Sequence, residues 1–442
     1  MTDYIGSYGE RDWELGSNEG RVRYIVANGL FNADASTMQN LVFSSDIYLT
    51  PTDAERVERV TGVDPEVYWS VGHALHATVS AITVDNLRER GASIRSMDYL
   101  AAAGCTEEES RSLLDLYSTE CSALRENVRA RYSVTDLRPY DSLPFSIHPW
   151  VRFGDHAVCP SLRLLQRKVT DGLRYLNLDH DHTTRPERDA YLTGLGHRFE
   201  AFVGDHLRHA VRADDRLFLD SDLRQFRRDH ESVADAVVIA GDTVLVVEAK
   251  ASSMRLDARV GENFPALEDW LRKSLVKGVQ QTWLTAQWID GPGRAQLGLD
   301  TAAPLTFVPV VVTLEELPTS PWLYSWVAEE LSSEAISSSA TCLAHQFLTM
   351  SEVGLLASLV SAFGRSIPQV LRLRAEDPVG ARVPMMNYFL LEHPTEAAAA
   401  DAGSLTRARF ATLTQQLVDR LRSGGRRSDA SSAEAHSSER KE

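Results

Sequence analysis

The chain of 442 residues has few cysteines and no long apolar run. Its four cysteines, Cys105, Cys121, Cys159 and Cys342, form no Cys-x2-Cys pair, so neither a zinc site nor a disulfide framework is indicated. No run of 18 or more apolar residues is present, and the N-terminal segment lacks the basic and apolar regions of a signal peptide. We therefore expect a cytoplasmic protein that does not span a membrane.

Lysine is scarce, with five lysines against 41 arginines. Three of the five, Lys250, Lys273 and Lys277, fall within a stretch of 28 residues. The two cationic side chains are not interchangeable, because an ammonium group is a compact point charge that can hold a water molecule or a phosphate oxygen. The clustering favours a chemical role for lysine in this stretch, with chance clustering as the alternative.

Negative charge prevails, with a formal net charge of −16 at pH 7, which weighs against strong binding to nucleic acid. The excess is uneven: residues 1–130 hold 21 acidic and 11 basic side chains, whereas residues 161–300 hold 22 and 20. A bound metal ion would cancel part of the acidity of the second segment. We expect modest affinity for nucleic acid, with a protein partner bound through the acidic N-terminal helices as a further expectation.

The most informative segment is residues 234–250, in which two β-branched apolar runs flank Gly241 and Asp242. A two-residue loop that begins with glycine is typical of a tight β-hairpin. If the loop consists of these two residues, Ala240 pairs with Thr243, and this pair sets the register of the whole hairpin.

This register brings acidic side chains together. It places Asp235 directly opposite Glu248, and it places Lys250 on the same strand face as Glu248. Two carboxylates in such a pair have Cβ atoms about 5 Å apart and repel each other unless something lies between them. A divalent cation is the natural candidate, since hard cations prefer carboxylate oxygens.

An aspartate followed on the next strand by Glu-x-Lys resembles the signature of the PD-(D/E)XK nuclease superfamily. The resemblance implies that Asp235 and Glu248 bind one or two Mg2+ or Mn2+ ions. It also implies that the backbone carbonyl of Ala249 is a further ligand. It implies that Lys250 orients the attacking water or stabilises charge on the phosphate. The chain departs from the pattern at Ala234, where the name of the superfamily has a proline that is often missing.

The same resemblance implies further site residues on the flanking helices. An upstream helical glutamate often completes the metal site, and Glu200 is in the corresponding place as a metal ligand and catalytic group. The helix after Glu-x-Lys commonly offers a lysine or glutamine, for which Lys277 and Gln281 are the candidates, with Gln280 as a fallback. The alternatives are a surface or salt-bridge role for Glu200 and a solvated helix face for the others.

Helical spacing adds two expectations around these residues. Lys273, Lys277 and Gln281 are four residues apart, so a continuous helix would place them on one face. Gly196 and Gly204 lie four residues on either side of Glu200, which we interpret as close approach of this helix to another backbone.

The hydrophobic pattern places these motifs on a mixed α/β (α+β) core. The predicted elements are helix 190–211, strand 216–220, the hairpin strands 233–240 and 243–250, helix 264–289 and strand 305–315. This order is that of the αβββαβ restriction-endonuclease-like core, with a mixed sheet flanked by N- and C-terminal helical regions. The order does not depend on the acidic residues, so it strengthens the resemblance.

Five regions are expected along the chain. They are an acidic, mainly helical domain (1–135), a connector with short strands and a helix (136–187), the nuclease-like core (188–318), a helical region (319–422) and a disordered tail (423–442). Thr52 is expected to cap the first helix, and Thr106 with Glu109 fits a capping box.

The resulting hypothesis is a Mg2+-dependent nuclease that hydrolyses phosphodiester bonds of DNA. A role in bacterial defence or restriction is a narrower hypothesis within it. The alternatives are a catalytically inactive nuclease-fold scaffold or protein-interaction module, and a phosphoesterase that uses the same site on a smaller substrate. No G-x4-G-K-[ST] motif is present, so ATP-driven translocation would require a partner.

Overall fold

The structure is a computed structural model. It describes residues 43–44, 46–80, 93–102, 105–131, 143–179, 181–226, 233–252, 254–255, 258, 263–300, 303–316, 321–332, 341–400, 412 and 415. Two compact units are present, one within residues 43–191 and one within residues 192–400. Each unit combines helices with a mixed sheet, so the predicted mixture of α and β structure is confirmed.

The first unit surrounds a four-stranded sheet with helices. The helices are α1 (Pro51–Thr61), α2 (Pro65–Ser80), α3 (Ser96–Ala102), α4 (Glu107–Tyr117), α5 (Cys121–Arg131), α6 (Leu143–Ile147), α7 (Leu162–Val169) and α8 (Asp171–Asn177). The strands are β1 (Ser93–Arg95), β2 (Ser118–Glu120), β3 (Trp150–Phe153) and β4 (His156–Val158), in the order β1-β4-β3-β2. Strands β1 and β2 are missed by the sequence analysis because three residues are too few to show an alternating pattern.

Helix caps in this unit show how local sequence sets helix starts. The N-cap of α1 is Thr50, not the predicted Thr52: the Thr50 hydroxyl accepts the amide of Asp53, and the Asp53 carboxylate accepts the amide of Thr50. This reciprocal pair satisfies two amides that the helix itself cannot bond. The capping box predicted for Thr106 and Glu109 at the start of α4 is confirmed.

The second unit is built on a five-stranded sheet, entered by helix α9 (Arg185–Ala210). The strands are β5 (Arg216–Leu219), β6 (Ala236–Ala240), β7 (Thr243–Lys250), β8 (Thr306–Thr313) and β9 (Gln346–Thr349). They lie in this same order, with β5, β6 and β7 antiparallel to one another in turn and β7, β8 and β9 parallel. A tight hairpin joins the antiparallel strands β6 and β7, and helical crossovers join β7 to β8 and β8 to β9, which are parallel.

Helices and a short 3-10 turn complete this unit. They are α10 (Asp220–Leu223), α11 (Phe264–Leu271), a π-helical segment (Arg272–Val276), α12 (Lys277–Asp290), α13 (Gly293–Gln296), α14 (Pro321–Ser332), α15 (Met350–Phe363), α16 (Ile367–Glu376), the 3-10 turn (Gly380–Arg382), α17 (Met385–Glu392) and α18 (Pro394–Ala399). The helix predicted over 264–289 is therefore interrupted by a π segment. Residues 401–422 of the predicted helical region fall, apart from 412 and 415, outside the described residues, as do the predicted tail and the predicted boundaries at 135 and 318.

The hairpin of β6 and β7 has the predicted register. Ala240 pairs with Thr243, and the ladder continues to Ala236 with Val247. Gly241 has φ of 61°, in the left-handed region that glycine adopts without steric cost. The turn therefore joins the strands without a bulge, and the face on which each side chain lies follows from its position in the hairpin.

The five-stranded sheet is covered on both faces, which explains its apolar strands. Val244 and Val246 belong to a core cluster that includes Ile289 of α12. On the opposite face, Arg372 of α16 donates to the hydroxyl of Thr243, whose side chain alternates with that of Val244. The hairpin strands and β8 are therefore buried along most of their length.

Strand β9 is absent from the prediction, which has only helices after residue 318. Its last residue, Thr349, is also the N-cap of α15, so a short apolar strand and the start of an apolar helix form one continuous run in the sequence. Periodicity cannot separate the two in so short a stretch.

No single helix within the described ranges is both long and apolar enough to cross a bilayer. The pair α15 and α16, bent by 95° at the break between them, meets the length and composition requirement when the two are taken together.

Candidate functional site

Three acidic residues form a row across β5, β6 and β7 at one end of the sheet. The two ladders carry their register through Ala236, and the next residue of each strand in that register is Asp220, Asp235 or Glu248. The Asp220 amide donates to the Asp235 carbonyl at 2.8 Å, so the pairing extends one residue beyond the strands. Residues directly opposite one another project from the same face, and neighbouring strands lie about 4.8 Å apart.

Asp235 occupies the middle of this row and is partly buried. Its Oδ2 accepts the backbone amide of Ala249 at 2.6 Å. Burial raises the pKa of the Asp235 carboxyl to about 8, and the nearby charges of Glu248 and Glu200 act in the same direction, against the Ala249 amide. The site thus holds a carboxyl group that is poorly stabilised as an anion.

Glu248 is 3% exposed and lies at the end of β7. Its Oε1 accepts the Lys250 ammonium at 2.6 Å, while Oε2 is buried and has no hydrogen-bond partner among the described residues. Burial raises the pKa of the Glu248 carboxyl to about 7 despite Lys250, and the charges of Glu200 and Asp220 add to that increase. An unpartnered buried carboxylate oxygen costs about 1–3 kcal/mol or more.

Lys250 is held between two elements. Its Nζ donates to Glu248 Oε1 on its own strand and to the side-chain oxygen of Gln281 on α12. An ammonium group has three donors, so one N–H remains for another acceptor. The predicted association of Asp235, Glu248, Lys250 and Gln281 at one end of the hairpin is therefore seen in the structure.

Close packing of α12 on the sheet explains why Gln281 reaches Lys250. Val311 of β8 pairs with Glu248 and so continues the acidic row on the same face. A Cβ atom added at Gly278 of α12 would lie 2.9 Å from a Val311 methyl group, so only glycine fits there without a shift. One helical turn beyond this contact, α12 presents Gln281 to the lysine.

The π segment separates Lys273 from this arrangement. It lies inside Arg272–Val276, where the wider turn changes the helical phase, and its ammonium pairs with Asp269 at 2.7 Å. The prediction that Lys273 shares one continuous helix face with Lys277 and Gln281 is therefore wrong. Lys277 begins α12, is exposed and makes no side-chain hydrogen bond or ion pair within the described ranges.

Glu200 of α9 lies near enough to the acidic row for its charge to raise the pKa of both Asp235 and Glu248. Its side chain is 41% exposed and lies 3.4 Å from the His197 ring. The predicted close approach of this helix to another backbone is wrong at Gly196, where an added Cβ would meet nothing within 4 Å. Gly204 faces only the side chain of Leu219, at 3.4 Å.

Asp220 is a member of the acidic row that the sequence analysis did not single out. Its Oδ2 accepts the Nε of Arg224 at 2.6 Å, while its Oδ1 is buried and has no partner in the described part of the chain. The signal was present, because aligning the strand 216–220 antiparallel to the hairpin puts Asp220 opposite Asp235. Only β6 and β7 are joined by a turn that fixes their register in the sequence, so this alignment depends on the tertiary structure.

The acidic row has the donor chemistry for a hard cation but is not a closed coordination site. Among the residues described, no group of three or more His, Cys, Asp and Glu side chains is placed to hold a metal ion. Asp235, Glu248 and Glu200 each engage a protein donor or ring instead. The two unpartnered oxygens, Glu248 Oε2 and Asp220 Oδ1, fit Mg2+ or Mn2+, which take carboxylate oxygens.

Comparison with known proteins gives no relative on which to base a function. No protein-family model, no curated protein sequence and no solved structure matches the chain. Functional inference therefore depends on the chemistry of the acidic row and its lysine.

Proposed function

We propose that the chain is a metal-dependent nuclease that hydrolyses phosphodiester bonds of DNA with Mg2+ or Mn2+. The observation that supports this most is the acidic pair Asp235 and Glu248, with Lys250 bonded to one member and to Gln281. The element order α9–β5–β6–β7–α12–β8 agrees with the αβββαβ order of the restriction-endonuclease-like core. Because of this agreement, we also propose that the second unit has the restriction-endonuclease-like fold.

A divalent cation fits the residues of the site. Asp235 and Glu248 would hold it, and Glu200 would join by turning away from His197, which its half-exposed position permits. When bound, Mg2+ or Mn2+ would polarise the phosphoryl group and lower the pKa of its water. Burial raises the pKa values of Asp235 and Glu248, and the charges of neighbouring carboxylates add to the increase. A bound cation would relieve this repulsion.

Lys250 supplies positive charge at a fixed position. Two of its N–H donors are used by Glu248 and Gln281, so the ammonium cannot swing freely. Its third N–H can hold a water or a phosphate oxygen and stabilise the charge that grows there during cleavage. Lys277, exposed one turn before Gln281, would contact a phosphate further along the DNA strand.

Local charge explains why this site would need metal to accept DNA. Four carboxylates, Asp220, Asp235, Glu248 and Glu200, face two nearby cations, Lys250 and Arg224. A phosphodiester would therefore meet net negative charge. A divalent cation inverts this balance locally, because a bound metal is often the largest charge in its site.

The test is cleavage of supercoiled plasmid with Mg2+ or Mn2+ by the full chain. We expect cleavage by the wild type, no cleavage with EDTA, and a loss of about 100-fold or more in Lys250→Ala, the effect of removing one charge-stabilising donor. Lys273→Ala is the matched control, because Lys273 is exposed and pairs only with Asp269 in the described structure. Its rate should stay within about twofold of wild type, since surface changes usually cost little.

Two results would contradict the proposal. One is no cleavage of plasmid, linear duplex, single-stranded DNA or RNA with either metal. The other is equal cleavage by wild type and Lys250→Ala, which would place the activity elsewhere or in a contaminant.

A non-catalytic scaffold is the second candidate, and one observation favours it. The described residues include no set of three ligand side chains already placed around a metal ion. Calorimetric titration with Mn2+ distinguishes the two candidates. Saturable heat in the wild type that is lost in Asp235→Ala favours the nuclease, whereas null titrations of both proteins favour the scaffold.

A further inference from the structure

We propose that Asp220 is an additional ligand of the divalent cation, which it would share with Glu248. The inference rests on the proposed function and names a residue that the nuclease resemblance does not supply. Asp220 directly follows β5, Asp235 directly precedes β6 and Glu248 lies in β7, so extending the two ladders by one residue puts the three in line. The 2.8 Å bond from the Asp220 amide to the Asp235 carbonyl holds this alignment at the row's outer end.

Unpartnered oxygens identify where the cation would sit. Glu248 is 97% buried, and its Oε2 finds no hydrogen-bond donor within the described ranges. Asp220 Oδ1 is likewise buried without a donor there. The charge of Asp220 also acts on Glu248, so the two carboxylates are close enough to repel each other. Two such oxygens in one row indicate a site for a hard cation.

The ion pair with Arg224 does not explain why Asp220 has a buried oxygen without a donor among the described residues. The guanidinium bonds only Oδ2, at 2.6 Å, and leaves Oδ1 unused. The Arg224 side chain is 57% exposed, and an exposed ion pair contributes about 0–1 kcal/mol. A structural pair of this strength does not offset a buried, unpartnered carboxylate oxygen. Arg224 is better described as a counter-charge that competes with the cation for Asp220.

The experiment is calorimetric titration of the full chain with Mn2+ alone, so it does not depend on cleavage. Asp220→Asn keeps the shape of the side chain and removes its charge. We expect its Kd for Mn2+ to rise at least about 10-fold, the lower end of the effect of even outer-shell partners. Asp214→Asn is the matched control, an exposed aspartate in the same segment with the same charge change, and its Kd should remain at the wild-type value.

Arg224→Gln separates a ligand from a mere partner of arginine. If Asp220 binds the cation, Arg224→Gln retains or increases Mn2+ affinity, because it frees Oδ2 from competition. If Arg224→Gln instead weakens binding as much as Asp220→Asn does, the inference is overturned. Circular dichroism and thermal unfolding of each variant exclude loss of folding as the cause.

The remaining outcomes separate this inference from the proposed function. Wild-type affinity in Asp220→Asn, with binding lost in Asp235→Ala, overturns the role of Asp220 and leaves the nuclease proposal standing. No Mn2+ binding by the wild type overturns both. Weakened binding in Asp220→Asn supports the inference even if no nucleic acid tested is cleaved.

Discussion

Two buried carboxylates, one in each unit, have contrasting surroundings. Asp53 in α1 is 5% exposed and uses both oxygens: Oδ2 accepts the Thr50 amide at 3.0 Å, and Oδ1 accepts Arg56 at 3.2 Å. Glu248 in β7 is 3% exposed and uses only Oε1, for Lys250. Its other oxygen is unpartnered among the described residues.

The difference separates a group that stabilises the fold from one that does not. Asp53 completes a helix cap and neutralises a buried arginine, so the fold gains from it. Glu248 is placed beside Asp235, so the fold pays the cost of two repelling carboxyl groups. Perturbed acids of this kind concentrate at functional sites, and local rules are broken mainly where function requires it.

The largest change in stability should result from replacing Asp53. Asp53→Ala removes the side-chain half of the capping box and leaves Arg56 buried without its counter-charge, so the free energy of unfolding should fall by about 2–4 kcal/mol. Urea denaturation followed by circular dichroism measures this. Asp155→Ala, at an exposed turn position, is the control and should change stability by less than about 0.5 kcal/mol. Equal effects of Asp53→Ala and Asp155→Ala would show that Asp53 does not stabilise the fold. The contrast between Asp53 and Glu248 would then be lost.

A smaller effect of opposite sign is expected in the acidic row. Asp235→Asn removes one repelling charge beside Glu248 while its side chain can still accept the Ala249 amide. With EDTA at pH 8, the free energy of unfolding should rise by about 1–2 kcal/mol, as when a functional residue is replaced at the expense of activity. A decrease in stability would show that the charge of Asp235 serves the fold.

The pH dependence gives the same contrast without a mutation. The pKa of Asp235 is raised to about 8 and that of Glu248 to about 7, whereas unfolded carboxyl groups titrate near about 4. Between these values the folded chain holds protons that the unfolded chain releases, so these two groups lower stability as pH rises from about 4 to 8. In EDTA, the decrease in unfolding free energy between pH 6 and pH 8 should be smaller in Asp235→Asn than in wild type. Parallel pH profiles would contradict the assignment.

Much of the site followed from the sequence because a tight turn determines the register. Gly241 and Asp242 mark the hairpin, and its strict two-residue alternation places Asp235, Glu248 and Lys250. Asp220 could not be placed in the same way, because the link from β5 to β6 is not a tight turn. Its pairing with Asp235 depends on tertiary structure.

Helical phase was predictable only within an uninterrupted helix. Lys277 and Gln281 both lie in α12, and Gln281 reaches Lys250 as the helix spacing allows. Lys273 lies in the π segment, which the residue types of the sequence do not predict. Its side chain pairs with Asp269. The contact of Gly278 with Val311 likewise depends on how closely α12 packs on the sheet.

The most direct test is whether the unpartnered oxygen of Glu248 belongs to a cation site. The measurement is Mn2+ titration at pH 8, by calorimetry, of the full-length wild type and of Glu248→Gln, which keeps the shape of the side chain and removes its charge. We predict saturable binding by the wild type and its loss in the variant, with Asp214→Asn unchanged. Absence of binding by the wild type, or equal binding by wild type and Glu248→Gln, would contradict the account.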